Sequence, residues 1–195
     1  CPGSRPPRWA NLELAWLIPL ALVGTVCGWL YFVSEHASEA LSHAIGEHPV
    51  VKAMLAGLAL AICGTVLPYT MFAGETQADV LMETYLTIPA GVLIATGLVK
   101  AMLTPALINL GWRGGHFFPV IFSGVSLGYG LAILTGADPV FCVAVCTAST
   151  MGAVMRQPVM VVGLLLMCFP LKGIICMIIA AVIAAGIPLP KSLRK

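Results

Sequence analysis

The sequence predicts an all-α integral membrane protein, a bundle of tilted helices of which several cross only part of the bilayer. Three observations support this class. Of the 195 residues, 59% are hydrophobic, and only ten Lys or Arg and eight Asp or Glu residues carry a formal charge. A soluble globule of this size needs far more polar residues to cover its surface. In the second half, glycine and proline also break the apolar runs at short intervals.

Charge and cysteine content exclude several functions. The net charge of +2 is small and the basic residues are scattered, so no nucleic-acid partner is predicted. Six of the seven cysteines lie in apolar runs and are interpreted as buried core residues rather than disulfides. Cys142 and Cys146 lie one helical turn apart, but no His or further Cys stands nearby at zinc-site spacing. We therefore predict neither a metal site nor a cofactor.

The first apolar run, Leu14 to Val33, has about the 20 residues that a helix needs to cross a bilayer. It continues into an amphipathic extension at the membrane surface, Ser34 to His48. Within the extension Glu39 and His43 lie four residues apart and could bind a metal, but a solvated face is favoured. The next run, Val50 to Phe72, is predicted to be a second span, and its glycines could let another helix approach closely.

The stretch from Ala73 to Thr87 is polar enough to be a connecting loop with a short helix. A third apolar run follows from Ile88 to Leu110, and Lys100 and Pro105 interrupt it. A lysine in the middle of a span costs roughly 2.5–3.5 kcal/mol when it faces lipid. The Lys100 side chain is therefore expected to face protein, water or headgroups.

After Gly111 the apolar runs become too short to cross a bilayer singly. Asp138 followed by Pro139 predicts a helix start, with an N-cap side chain and proline at the first helical position. Short helices at membrane depth are typical of transporter and channel interiors, where helix ends meet the solute. The predicted runs are Phe117 to Leu134, Pro139 to Met155, Pro158 to Phe169 and Leu171 to Ile187.

The segment from Gly111 to Pro119 is a glycine-rich turn that leads directly into an apolar helix. Consecutive glycines can adopt conformations closed to other residues and can present backbone N–H groups. The first amides of a helix have no internal partner, and the helix dipole places about half a positive charge there. Such a place binds an anion, although a glycine pair before a membrane helix also serves as a packing device.

The string Gly-Gly-His-Phe-Phe-Pro and the helix after it resemble the Gly-Gly-x-Phe-x-Pro signature of the CLC chloride channel and transporter family. The stretch from Ala148 to Pro158, a small-residue helix ending in Arg-x-Pro, resembles the next element of that family. The string from Arg113 to Pro119 is most similar to its divergent bacterial ion-channel-like branch. The resemblance runs from about Leu14 to Pro190 and corresponds to the second half of the family's membrane domain.

The resemblance implies a chain with three parts: residues 1–11 as the stub of a longer protein, residues 12–190 as the membrane domain and residues 191–195 as a basic tail. The two halves of such a domain are inverted repeats, so the first half of the same protein is an expected partner. A homodimer with one pore per subunit, a multi-pass location in the plasma membrane and transport of a small inorganic anion, chloride foremost, are also implied.

Carried over to this chain, the resemblance implies that the backbone amides of His116 and Phe117 coordinate the anion. Gly114, Gly115 and Pro119 would shape the turn, and Phe118 belongs to the same anion-binding string. Arg113 flanks the site and could raise the local anion potential. An interfacial anchor, or a partner for a carboxylate in the first half, explains Arg113 equally well.

Several family features are missing from this sequence. The family's Gly-Ser-Gly-Ile-Pro and Gly-x-Glu-Gly-Pro motifs do not occur, and Pro190 stands near the position of its pore tyrosine. Channel and proton-coupled exchanger, and the identity of the anion, therefore stay open. A non-conducting membrane scaffold that uses the glycine turn for packing is the alternative. An enzyme is not predicted, because residues 88–190 hold no carboxylate pair, His-Glu-x-x-His string or Gly-x-Ser-x-Gly elbow.

Overall fold

The computed structural model describes residues 8–71, 75–167 and 174–188, and it shows only helices and their connections there. Predicted features at residues 1–7, at Pro190 and in the tail 191–195 lie outside these ranges. The all-α class is confirmed. The helices are α1 (Arg8–Ile45), α2 (Pro49–Val66), α3 (Glu75–Thr84), α4 (Ala90–Asn109), α5 (Phe117–Thr135), α6 (Pro139–Met155), α7 (Pro158–Leu165) and α8 (Ile174–Gly186).

The first predicted span and its surface extension form one continuous helix. Helix α1 runs for 38 residues through Pro19 and ends before Gly46, whose φ of 68° stops the helix. The extension packs on α4 through its polar side. Asn109 Nδ2 donates to the Glu35 carbonyl at 3.0 Å and to Ser38 Oγ at 2.8 Å. The face of the extension that carries Ser38 is thus partly covered by α4 rather than wholly solvated.

Four of the described helices are long and apolar enough to cross a membrane: α1, α2, α4 and α5. The prediction that every run after Gly111 is too short was wrong for α5, which has 19 residues. The helix extends one residue beyond the predicted run, to Thr135, and Gly136 with φ 68° provides its left-handed end. Helices α6, α7 and α8, with 17, 8 and 13 residues, are shorter than a full span.

Two predicted helix ends have the expected contacts. Asp138 Oδ1 accepts from the Phe141 amide at 2.9 Å and caps α6. At the other end of α6, Arg156 adopts a left-handed φ of 55°. Its Nη2 donates to the carbonyls of Ala185 at 3.2 Å and Ile187 at 2.7 Å, at the end of α8. Arg156 therefore binds the C-terminal end of α8.

Helix α6 lies at the centre of the bundle and contacts α1, α5, α7 and α8. Its contacts with α1 and α5 use glycines that allow the backbones to touch. A Cβ added at Gly28 would lie 2.5 Å from Ala153 Cβ, and one at Gly124 would lie 2.5 Å from Thr147 Cα. One at Gly128 would lie 2.5 Å from Val143 Cα. The glycine pairs 24/28 and 124/128 thus form two lines of close helix contact, the first between α1 and α6 and the second between α5 and α6, which we call the glycine seams.

The seams also define the helix directions. Gly124 meets Thr147 and Gly128 meets Val143, so α5 runs opposite to α6. By the same reasoning from glycine contacts, α1 runs with α6 and α4 runs opposite to α5. Helix α8 also runs with α6, because Gly152 meets Ala181 and Arg156 binds the carbonyls of Ala185 and Ile187. The start of α5 therefore lies at the same end of the bundle as the last turns of α4 and α6.

Candidate functional site

The glycine-rich turn occupies the connection between α4 and α5, two antiparallel neighbours. The chain leaves α4 with Gly111 at φ 96°, a conformation that favours glycine. The amides of Gly111 and Trp112 donate back to the carbonyls of Ile108 and Leu107, each at 3.0 Å. Residues 113–116 follow this hydrogen-bonded turn and connect it to the first turn of α5.

Gly114 and Gly115 do not have the special backbone conformation expected of them. Neither has a left-handed φ; that role belongs to Gly111. A Cβ at Gly115 would meet nothing within 4 Å, and one at Gly114 would meet only the Trp112 ring, 3.7 Å away. What the two glycines provide is open space in front of the helix start rather than an unusual turn.

Helix α5 begins without a side-chain cap. His116 is the N-cap residue, and the first amide that donates into the helix is that of Val120, to the His116 carbonyl at 3.2 Å. Within the described chain, none of the amides of residues 113–118 donates to a backbone carbonyl. The His116 ring instead stacks on Phe117, with centroids 4.6 Å apart. Helix α5 therefore presents unpartnered amides at the positive end of its dipole.

A cavity of about 310 Å³ opens beside this turn. Helix α4 and the turn form most of its wall, and α2 and the segment after it close another side. Three polar side chains that line it are almost fully buried. The lining residues are Leu60, Thr70, Lys100, Leu103, Thr104, Leu107, Ile108, Trp112, Gly114, Gly115 and Pro119.

The charged residue of the cavity is Lys100, which is only 3% exposed. Its Nζ donates to the carbonyl of Thr70 at 2.6 Å and to that of Met71 at 3.3 Å, and it lies 5.6 Å from the centroid of the Phe122 ring. Of the three environments expected for this side chain, which were protein, water and headgroups, the structure shows protein. Carbonyl oxygens and an aromatic face are the neutral groups best suited to a buried ammonium.

The structure brings together only some of the predicted site residues. Gly114, Gly115 and Pro119 line the cavity. His116 and Phe117 lie at the start of α5 and are half-buried, whereas the side chains of Arg113 and Phe118 are exposed. None of these four residues lines the cavity. For His116 and Phe117 the backbone, not the side chain, is the part available at the site.

Sequence reasoning did not assign three further residues that line the cavity: Thr70, Thr104 and Trp112. Lys100 was expected to face protein, water or headgroups, but it was not linked to the turn. An ionisable residue inside a span is by itself a signal of a functional site, and this signal could have linked Lys100 to the glycine turn. In the part of the chain that the structure describes, no three His, Cys, Asp or Glu side chains come close enough to hold a metal.

Comparison with known proteins gives one match. A family model described as voltage gated chloride channel matches residues 3–188, which is nearly the whole chain. Comparison with curated proteins gave no match, and neither did comparison with solved structures. The match and the long apolar helices together make this a membrane protein. The chain belongs to the voltage-gated chloride channel family.

Proposed function

We propose that this chain forms the second half of a chloride pathway, in which the backbone amides of His116 and Phe117 coordinate the anion. The observation that carries the proposal is the start of α5, where uncapped amides face open space beside a cavity. Family membership supports chloride as the transported ion and a channel or transporter as the class of protein, rather than an enzyme.

Backbone amides suit a conducting site because their attraction is partial. A helix start contributes about half a positive charge, whereas a direct ammonium contact would hold the ion more tightly. Conduction needs binding strong enough for entry and weak enough for exit. In the proposal, the first half of the same protein completes the site as an inverted repeat, and two such subunits form a homodimer in the plasma membrane.

The scaffold alternative assigns the glycine pair to helix packing. Close packing would place neighbouring atoms against the glycine Cα positions, as it does at Gly124 and Gly128. The open space at Gly115 therefore favours a role for the turn in binding. Gly114 has only the Trp112 side chain nearby and gives the same indication.

The test uses the complete protein in liposomes, with chloride efflux as the readout. A leucine at Gly115 meets no atom within 4 Å of its Cβ, so Gly115→Leu should fold normally and place its side chain in front of the amides. We expect efflux to fall at least about tenfold, as for a lost binding contact of about 1.4 kcal/mol. Gly57→Leu is the matched control, because a Cβ at Gly57 of α2 also meets nothing within 4 Å.

A second variant separates backbone from side chain. His116→Ala keeps the amide and removes the imidazole, so efflux should stay within about twofold of the unmodified protein. Unchanged efflux in Gly115→Leu would rule out amide coordination. An absence of efflux from the unmodified protein under every anion gradient would instead favour the scaffold.

A further inference from the structure

Helix α4 lacks one of its backbone hydrogen bonds shortly before the glycine-rich turn. Pro105 lies inside the helix and has no N–H, so the Ala101 carbonyl receives no hydrogen bond from that position. Helices bend most readily where such a bond is missing. The end of α4 beyond the proline, residues 106–109, leads directly into the turn.

The part of α4 before the proline is fixed by close contacts with its neighbours. A Cβ added at Gly97 would lie 2.7 Å from the Ser123 carbonyl oxygen of α5. Helix α1 also binds this part, because Ser34 Oγ donates to the Met102 carbonyl at 2.6 Å. Residues 106–109 are in contrast only half-buried. The end of α4 therefore depends more on single contacts than the part before the proline does.

After the proline, α4 is bound to α1 through the side chain of Asn109. Its Nδ2 donates to the Glu35 carbonyl and to Ser38 Oγ, at 3.0 and 2.8 Å. Ser38 Oγ uses its own hydrogen on the Glu35 carbonyl, so it can only accept from Asn109. Both acceptors thus require an N–H donor, which neither a carboxylate nor an apolar side chain provides. We call this pair of bonds the Asn109 contact.

Asn109 belongs to a hydrogen-bonded unit that forms part of the cavity wall. The amides of residues 110–112 donate to the carbonyls of residues 106–108 at 3.0–3.1 Å. Three side chains of this unit line the cavity: Leu107, Ile108 and Trp112. A shift at the end of α4 therefore moves this wall and the residues that connect it to the start of α5.

We infer that Asn109 is a positioning residue for the anion pathway. By binding α1, it fixes the end of α4 beyond Pro105 and thereby the cavity wall beside the start of α5. The inference rests on the proposed function, because it requires the anion to pass the glycine turn. It adds a role for the surface extension of α1, which holds the wall in place without touching the anion.

The experiment measures maximal chloride efflux from liposomes that contain the complete protein, per amount of folded protein. Asn109→Leu removes the donor at a similar side-chain volume, and Asn109→Asp keeps the shape but not the amide hydrogens. One net hydrogen bond corresponds to roughly two- to twelvefold in an equilibrium, so the loss of two bonds should lower efflux at least about fourfold. Ser38→Ala leaves the Glu35 acceptor and should have a smaller effect.

Ser34→Ala is the matched control. It also removes a hydrogen bond between α1 and α4, but this bond lies before the proline, so efflux should stay close to that of the unmodified protein. An effect of Ser34→Ala as large as that of Asn109→Leu would overturn the inference. If Asn109→Leu gave no folded protein, Ser38→Ala and Ser34→Ala would decide, and equal efflux in these two would have the same meaning.

Pro105→Ala adds a readout that a general loss of stability would not change. It restores an N–H for the Ala101 carbonyl, so the end of α4 should no longer depend on the Asn109 contact. In the Pro105→Ala background, Asn109→Leu should lower efflux by less than about twofold, as expected for coupled sites. An undiminished loss in that background would show that Asn109 does not act through this point of the helix.

Gly115→Leu, measured in parallel, separates this inference from the proposed function. If Gly115→Leu blocks efflux and Asn109→Leu does not lower it, the pathway stands and the role of Asn109 is wrong. Efflux that Gly115→Leu does not affect, or no efflux from the unmodified protein, would overturn the pathway and the inference with it.

Discussion

The seam between α5 and α6 predicts that a single methyl group at Gly128 destabilises the protein. In Gly128→Ala the new Cβ would lie 2.5 Å from Val143 Cα, 2.8 Å from Val143 N and 3.0 Å from the Cys142 carbonyl oxygen. Carbon contacts are optimal at about 3.5–4.0 Å, so the two backbones must separate by about 1 Å. All three neighbours are backbone atoms, so no side chain can turn away to make room.

The separation should cost about 1–3 kcal/mol, as other overpacked cores do. Alanine regains about 1 kcal/mol of helix propensity, so the net loss in the free energy of unfolding should be about 0–2 kcal/mol. Unfolding of the purified protein in mixed micelles with increasing SDS measures this difference. Gly57→Ala is the control, because nothing lies within 4 Å of its Cβ, and it should be neutral or stabilising. Equal stability of the two variants would refute the close α5–α6 contact.

Three further predictions concern the polar contacts. Lys100→Met removes the bonds to the Thr70 and Met71 carbonyls, so amide hydrogen exchange should speed up around residues 67–71, whereas Lys52→Met should leave it unchanged. Asp138→Ala removes the cap of α6 and should cost about 0.5–2 kcal/mol in SDS unfolding, and Asp138→Asn should keep most of that stability. Arg156→Ala should lose about 1.5–3 kcal/mol with its bonds to α8. Arg156→Gly should lose roughly 1 kcal/mol less than Arg156→Ala in the same assay, because glycine adopts φ 55° without strain. A loss in Arg156→Gly larger than that in Arg156→Ala would contradict this account.

The sequence predicted the features that depend on local chemistry. The apolar runs, the short helices α6 to α8 and the Asp138 cap all follow from residue type and spacing, as does the placement of Lys100 away from lipid tails. The continuity of α1 was harder to predict, because Pro19 lies well inside it and the boundary between span and extension is not marked by a breaker.

Contacts between distant segments were not predictable in the same way. Lys100 and Thr70 are separated by 30 residues, and only the packing of α4 against the segment after α2 places them in contact. The glycine seams, in contrast, carried a signal that was overlooked. The pairs at 24/28 and 124/128 have the spacing of close helix contacts, whereas close approach was predicted for the glycines of the second span. Of those glycines, Gly57 has an open Cβ position and Gly64 meets only the Met71 side chain.

The opposite directions of α4 and α5 affect how long an ion would stay at the turn. Helix α4 ends with its carbonyls near the place where α5 begins with its amides, and only residues 110–116 separate them. The partial negative charge of one helix end therefore offsets part of the positive charge of the other. A visiting anion would occupy a shallow energy well, and its dwell time would be short. In the proposed pathway, such a pair of helix ends would favour rapid passage of ions over their retention.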